Sequence, residues 1–248
     1  MEQIVYERSK YFTENGSSFC PGCGHGIAHR LMIDTLEELG LIENSIVIYP
    51  VGCGTNGMFY TLTNNLHAPH GRAPAVATGV KRCAEDKTVV LYQGDGDLAA
   101  IGMAECIHGA NRGDNVSTIF INNTIYGMTN GQYAPTTLYG QITKTTPEGR
   151  GMHGEGYPID MCKLMCSLVE TKFVARCALN TPAHIFEAQK CIRKALEMQR
   201  DKKGYAFVEL LSMCPSTWKM DPIKAAKHID DVVVNTFPLG IFKDEEVK

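Results

Sequence analysis

Two short stretches of this chain carry residues that do little for packing and much for chemistry. In FCPGCGHG, Cys20 and Cys23 stand two residues apart just before an expected helix. In QGDGD, Gly94-Asp95-Gly96-Asp97 joins an apolar segment to another expected helix, and Asn122-Asn123 ends the next apolar segment. Glycines let backbone amides approach a phosphate, and a helix N-terminus favours negative charge. A bare Asp95 carboxylate beside a phosphate would repel it, so a cation belongs between them. Mg²⁺ binds through one or two protein oxygens together with phosphate oxygens, and Asn123 supplies a second oxygen donor. Asp-Gly alone also reads as an ordinary turn. Both halves at the ends of successive strands make a diphosphate with Mg²⁺ the stronger reading.

A Cys-x-x-Cys pair is open to three readings: a redox disulfide, half of a zinc site, or half of an iron–sulfur site. The chain has ten cysteines. Cys20, Cys23, Cys53 and Cys214 each fall in a Gly- or Pro-bearing break, where backbone can turn around something. Cys83, Cys106, Cys162, Cys166, Cys177 and Cys191 sit in apolar-periodic segments and read as buried packing. The polar, turn-rich ERSKYFTENGSSF before Cys20 is not the strand that a thioredoxin-like pair requires. Zinc and an iron–sulfur cluster accept the same four thiolates, so those two stay open at this level.

The elements that must position these residues follow from periodicity. Helices are expected over 26–39 (Leu31, Leu36 and Leu39 inward), APAVATGVKRCAED, DLAAIGMAECIHGANR, 158–169 and 182–201. Strands are expected at SIVIYPVG, TVVLYQ, VSTIFI, KFVARC and YAFVELL, which places Cys53 after the first and Cys214 after the last. Strands that alternate with helices and read continuously apolar imply an α/β fold, a mainly parallel sheet with helices on both faces. Ligands of such sheets bind outside the carboxyl ends of the strands. The helix between TVVLYQ and VSTIFI brings Asp95 and Asn123 side by side at that edge. No linker is evident, so residues 1–248 read as a single domain with an N-terminal cysteine loop and a C-terminal tail. The unpatterned stretch from Gly127 to Gly156 is long enough to be functional.

Composition narrows the setting. With 248 residues, 44% hydrophobic, 21% charged and a net charge of −3, the chain suits a soluble protein with no call for nucleic acid or an anionic membrane. Its apolar runs fall short of the ~20 residues a membrane span needs. MEQIVYERSKYF is charged and lacks a signal core, which points to the cytoplasm, where thiols stay reduced.

Gly94-Asp95-Gly96, followed after 25 residues by Asn122-Asn123 counted from Asp97, resembles the thiamine diphosphate motif. Together with FCPGCGHG, VGCGTNG, HGRAPAVATGVK, IYGMTNGQYAPTT and CPSTW, the chain resembles the β subunit of the 2-oxoacid:ferredoxin oxidoreductases along essentially its whole length. The resemblance implies a thiamine diphosphate-binding fold of diphosphate type. Asp95, the Asn123 side chain and the Ile125 carbonyl would hold Mg²⁺, with Gly94, Gly96 and Asp97 at the diphosphate. It also implies a [4Fe–4S] cluster on Cys20, Cys23, Cys53 and Cys214, which takes electrons from the 2-oxoacid as CO₂ leaves and passes them to ferredoxin. Coenzyme A would collect the acyl group. His70 and Arg72 are candidate catalytic groups and His25 a further one. Thr129, Gln132 and Thr136 would face cofactor or substrate, while Tyr126 and Met128 read equally as core.

Members of this family need a glutamate at the aminopyrimidine ring, carried by a pyrimidine-binding domain. The chain carries one GDGD…NN motif, so an α subunit is expected to bring that domain, and the isolated chain is not expected to turn over. A γ subunit or domain and a small ferredoxin-like subunit are further expected partners. Thr55-Asn56-Gly57 lacks the basic residue that some relatives place after the third cysteine. The CPSTWKMDP…FPLGIFKD tail resembles 2-oxoisovalerate or 2-oxoglutarate types more than pyruvate types, so a branched-chain 2-oxoacid is the first expectation and 2-oxoglutarate the second. The rivals are half of a non-oxidative decarboxylase or carboligase, and a zinc-stabilised, non-catalytic nucleotide-binding module.

Overall fold

The computed structural model describes residues 7–245. The first half of MEQIVYERSKYF, on which the cytoplasmic expectation rests, therefore lies outside the described residues. Helix α1 spans Gly24–Glu38, and strand β1 (Ser45–Tyr49) leads through a 3₁₀ stretch, Cys53–Phe59, to β2 (Asn64–His67). Next come α2 (Ala73–Cys83), β3 (Thr88–Gly94), α3 (Met103–Asn111) and β4 (Ser117–Asn122). After the long loop follow α4 (Met161–Cys166), β5 (Thr171–Ala178), α5 (Pro182–Arg200) and β6 (Tyr205–Leu211). Short helices α6 (Pro215–Trp218), α7 (Pro222–His228) and α8 (Val234–Thr236) precede β7 (Gly240–Asp244).

The seven strands form one sheet in the order β2-β1-β3-β4-β6-β5-β7, parallel except for β7. Apolar side chains of β3, β4 and β6 are buried on both faces, which is why their sequences read as continuous runs rather than alternating ones. One face packs against α1 and α5 around Leu36, Tyr92 and Ile192; the other packs against α2, α3 and α4 around Leu91, Phe120 and Cys162. Caps set the helix starts where the sequence offers them. Thr181 accepts from His184 N at the head of α5 and Asp221 from Lys224 N at the head of α7, each followed by a proline at the first helical position.

Three expectations change. The helix expected from Asp97 to Arg112 breaks: Gly96–Ile101 is a π-turn, and the α-helix starts only at Met103. Gly102 leaves no room for a side chain, because a Cβ there would meet the carbonyls of Asp97 and Gly71 at 2.7 Å. The strand before Cys214 is β6, not the last, since β7 adds an antiparallel edge that GIFKD did not announce. Cys83 is exposed at the end of α2, whereas Cys106, Cys162, Cys177 and Cys191 are buried as expected and Cys166 is partly so.

His29, on α1, is fully buried against the Tyr49 and Tyr92 rings. Its Nδ1 donates to the His25 carbonyl at 2.8 Å, and its Nε2 has no partner. Burial pulls its pKa down from the ordinary 6.5 to about 4. Below pH 6.5 the unfolded chain takes up a proton that the fold refuses, so stability falls as pH drops toward 4. Between pH 7.5 and 5 this one group is expected to remove about 2 kcal/mol. Urea unfolding at both pH values should show a shallower acid loss in His29→Gln; an unchanged slope would contradict the assignment.

Candidate active site

Strand pairing does the first work of assembly. β3 and β4 are neighbours in register, Gly94 opposite Ile121, so Asp95 and Asn123 emerge side by side from the same edge. Both are buried, at 3% and 7% exposed. Asp95 Oδ1 accepts from Gly96 N at 2.8 Å, and Oδ2 accepts from Ile125 N at 3.2 Å and from Thr136 Oγ1 at 2.8 Å. Burial nevertheless lifts its pKa from 3.8 to about 7, against those hydrogen bonds. A buried carboxylate held this way is a ready ligand for a hard cation, which would restore its charge. Asn123 Oδ1 shares the same Ile125 N–H at 3.2 Å, so both side chains are aimed by one backbone amide.

The loop that follows is forced into shape. Thr124, a β-branched residue, sits at φ 61°, a conformation that costs about 1–2 kcal/mol. Asn122 holds it by accepting from Thr124 N at 3.0 Å, while the Thr137 hydroxyl donates to the Thr124 carbonyl at 2.5 Å. Asn122 is itself anchored by donating to Glu209 on β6 at 2.7 Å. The Tyr126 ring lies over Gly96, where a Cβ would come within 2.2 Å of it, so only glycine fits there.

A cavity of about 130 Å³ opens at this edge, lined by Gly94, Asp95, Gly96, Asp97 and Asn123. Cys53, Gly54 and His25 line it too, as do Pro50, Val51, Met128 and Thr129. Of the other candidates, His70 reaches the cavity but is tied through Nδ1 to Asp97 Oδ1 at 2.5 Å. The same Oδ1 accepts from Gly71 N at 2.8 Å, and Oδ2 accepts from Gln93 Nε2 at 2.6 Å. Arg72 pairs with Glu105 on α3 and is not part of the cavity wall. Gln132 braces Thr129, and Thr136 reaches Asp95. Ile125 is buried beside the cavity rather than lining it.

Cys20, Cys23, Cys53 and Cys214 come together from three loops. A Cβ placed on Gly127 would stand 3.4 Å from Cys53 Sγ, 3.5 Å from Cys214 Sγ and 3.6 Å from Asn123 Nδ2. Burial lifts the Cys23 thiol to about 12; the His25 amide opposes the rise, and Cys214, Cys53 and Cys20 add to it. Cys53 rises to about 11 for the same first reason. Burial raises Cys214 as well. Thiols held up in this way give up their protons most readily to a metal centre. Among the described residues, no group of three or more His, Cys, Asp or Glu stands at the spacing of a single metal ion. The Trp218 indole, four residues past Cys214, donates to the Asn123 carbonyl at 3.1 Å and ties the cysteine loop to the Asp95 edge.

Sequence reasoning flagged His25 without a role and passed over Tyr92, which is sealed inside an apolar strand yet hydrogen-bonds His25 at 2.7 Å. The Glu209 anchor was also unseen, since a lone acid in YAFVELL announces no partner.

Comparison with known proteins places this edge. Residues 49–210 match the family described as thiamine pyrophosphate enzyme, C-terminal TPP binding domain. Ketoisovalerate oxidoreductase subunit VorA of Methanothermobacter thermautotrophicus is 45% identical over 98% of this chain and 51% of its own length. The 2-oxoglutarate synthase subunit KorB of Methanocaldococcus jannaschii is 41% identical, over 91% of this chain and 80% of its own. A solved 2-oxoglutarate:ferredoxin oxidoreductase from Magnetococcus marinus superposes with a TM-score of 0.77 at 28% identity, covering 92% of this chain and 74% of that one. The chain spans about half the length of the VorA relatives it matches. With a thiamine pyrophosphate enzyme domain and these relatives, the chain belongs to the 2-oxoacid:ferredoxin oxidoreductase family, as its thiamine diphosphate-binding β subunit.

Proposed function

We propose that this chain serves the oxidative decarboxylation of an aliphatic 2-oxoacid to an acyl-CoA and CO₂, with electrons leaving through a [4Fe–4S] cluster to ferredoxin. The observation that carries the reading is the meeting at Gly127: two cysteine sulfurs and the Asn123 amide all lie within 3.6 Å of one point. That proximity supports an electron acceptor held beside the cofactor edge.

Asp95, the Asn123 side chain and the Ile125 carbonyl would hold Mg²⁺, and the amides of Gly96 and Asp97 would meet the diphosphate. Cys20, Cys23, Cys53 and Cys214 would hold the cluster. Zinc would accept the same four thiolates, so metal content decides between the two centres. Bound thiamine diphosphate supplies the electron sink that lets CO₂ depart. The chain's own residues orient that cofactor, keep its diphosphate charge balanced and hold an acceptor beside it.

Pro50, Val51 and Met128 give the cavity an apolar wall, and Arg72, the nearby cation, is engaged by Glu105. That favours a branched aliphatic side chain over the distal carboxylate of 2-oxoglutarate, in keeping with the ketoisovalerate relatives. At about 130 Å³ the cavity is smaller than the ~300–1,000 Å³ of pockets that enclose small molecules. We therefore assign the remaining walls to a pyrimidine-binding α subunit or segment, with a γ component and a ferredoxin-like subunit as further partners. All ten cysteines are free thiols, which suits the cytoplasm, and no helix of the described residues is long and apolar enough to cross a membrane.

The test is the iron and acid-labile sulfide content of anaerobically purified protein. About four of each per chain are expected for one [4Fe–4S] cluster. Zinc in place of iron would reduce the cysteines to scaffolding and leave a non-redox thiamine diphosphate protein.

A further inference from the structure

His25 occupies the first turn of α1 and is 3% exposed. Its Nδ1 lies 2.7 Å from the hydroxyl of Tyr92, a fully buried residue of β3. The Phe19 ring stacks on the imidazole at 5.3 Å and the Tyr92 ring leans on it at 5.7 Å, so the imidazole cannot turn without moving a neighbour. His25 lines the cavity together with Cys53 and Gly54. Among the described residues its one side-chain hydrogen bond is the one through Nδ1, which leaves Nε2 for a ligand.

The tautomer follows from the Tyr92 hydroxyl. Among the described residues, His25 Nδ1 is its one hydrogen-bond partner. A buried hydroxyl proton left without an acceptor costs about 1–3 kcal/mol, so Tyr92 donates and Nδ1 accepts. The imidazole proton then resides on Nε2 of a residue that lines the same cavity as Asp95, Asn123 and Cys53.

We propose that His25 is a catalytic residue, presenting its Nε2–H as a neutral hydrogen-bond donor to the carbonyl oxygen of the 2-oxoacid, and that Tyr92 is the positioning residue fixing its tautomer. The assignment rests on the oxidoreductase reading above. A donor locked in place before reaction stabilises negative charge as it develops on that oxygen and needs no reorganisation to do so. Neutral His70 cannot take this part, because its Nδ1 donates its one proton to Asp97 Oδ1 and leaves Nε2 without one.

The experiment uses the complex purified anaerobically with its native partners, as wild type and with His25→Leu, His25→Gln or Tyr92→Phe. The kcat of His25→Leu is expected to fall about 100-fold with KM for the 2-oxoacid within about threefold of wild type. Glutamine, whose amide N–H can reach the Nε2 position, should restore about tenfold, and Tyr92→Phe should lose about tenfold. By calorimetry, His25→Leu should bind a methyl acylphosphonate analogue of the 2-oxoacid about 100-fold more weakly, with thiamine diphosphate affinity and iron content unchanged. Wild-type kcat and analogue affinity in His25→Leu would overturn the proposal. So would a shift of the cluster's midpoint potential in Tyr92→Phe at unchanged kcat, which would give the pair to the cluster instead. If His25→Leu loses its iron, wild-type kcat in both His25→Gln and Tyr92→Phe overturns it. A wild-type complex lacking iron or thiamine diphosphate removes the underlying reading first, before any variant is compared.

Discussion

Asp95→Asn is expected to weaken thiamine diphosphate binding in the presence of Mg²⁺ by more than about 100-fold while leaving the fold intact. The carboxylate is 3% exposed and takes three hydrogen bonds from the chain, so a purely structural role would make its loss destabilising. The ligand role predicts the reverse pairing. Asparagine keeps an oxygen for Thr136 and Ile125 but removes a charge that the apo protein must hold away from water. Cofactor affinity collapses, then, and the urea midpoint of the apo protein stays level or rises. Calorimetric titration and urea unfolding on the same preparation read both. Retained affinity, or a fall in stability without a fall in affinity, would remove Asp95 from the metal site.

Arg176→Met is the second large effect, and it acts on the fold. Arg176 is fully buried, with Nε donating to Glu209 at 2.8 Å and a second nitrogen paired with Asp160. Its guanidinium stands 5.1 Å from the centres of the Phe237 and Phe242 rings. Removing the cation strands Glu209, also fully buried, among Asn122, Cys162 and apolar strand residues. The expected cost is about 3–5 kcal/mol, read from chemical denaturation. Replacing both members, as Arg176→Met with Glu209→Leu, should recover much of that loss. The double variant should not recover cofactor affinity, because Asn122 and the Thr124 turn lose their anchor with Glu209. A double variant as unstable as the single one would count against an ion-pair origin.

These side chains show why some of the site was readable and some was not. Asp95 and Asn123 could be paired from sequence because β3, α3 and β4 make one right-handed crossover, whose geometry is fixed in advance. The C-terminal ends of neighbouring parallel strands must then meet. Cys53 and Cys214 could be placed near them for the same reason, even though β7 was missed. That strand is short, antiparallel and largely exposed, so it carries no continuous apolar signal. The π-turn at Gly96–Ile101 was invisible because its cause is tertiary: the backbone of Gly71, from another loop, packs against Gly102. Arg72 looked like a cofactor cation only until Glu105, a full helix away in sequence, was seen to claim it. His25 and Tyr92 belong to the same class, 67 residues apart and joined only by the fold.

The sheet order carries a consequence for how the site comes into being. Within the sheet β4 has β6 as its neighbour, Ser117 opposite Ala206, so the centre of the sheet stays incomplete until the last third of the chain exists. Cys214 emerges about 160 residues after Cys53. At a synthesis rate of about 5–20 residues per second, the ribosome leaves three of the four thiols waiting for some 8–30 seconds. The fourth arrives only with β6, the strand whose docking also brings Glu209 to Asn122. Metal delivery during translation would meet an unfinished nest, and the same late strand that completes the four cysteines also stiffens the turn beside Asp95. Assembly of the cysteine nest and of the Asp95 turn is thus timed by one event, the closure of β6 onto β4.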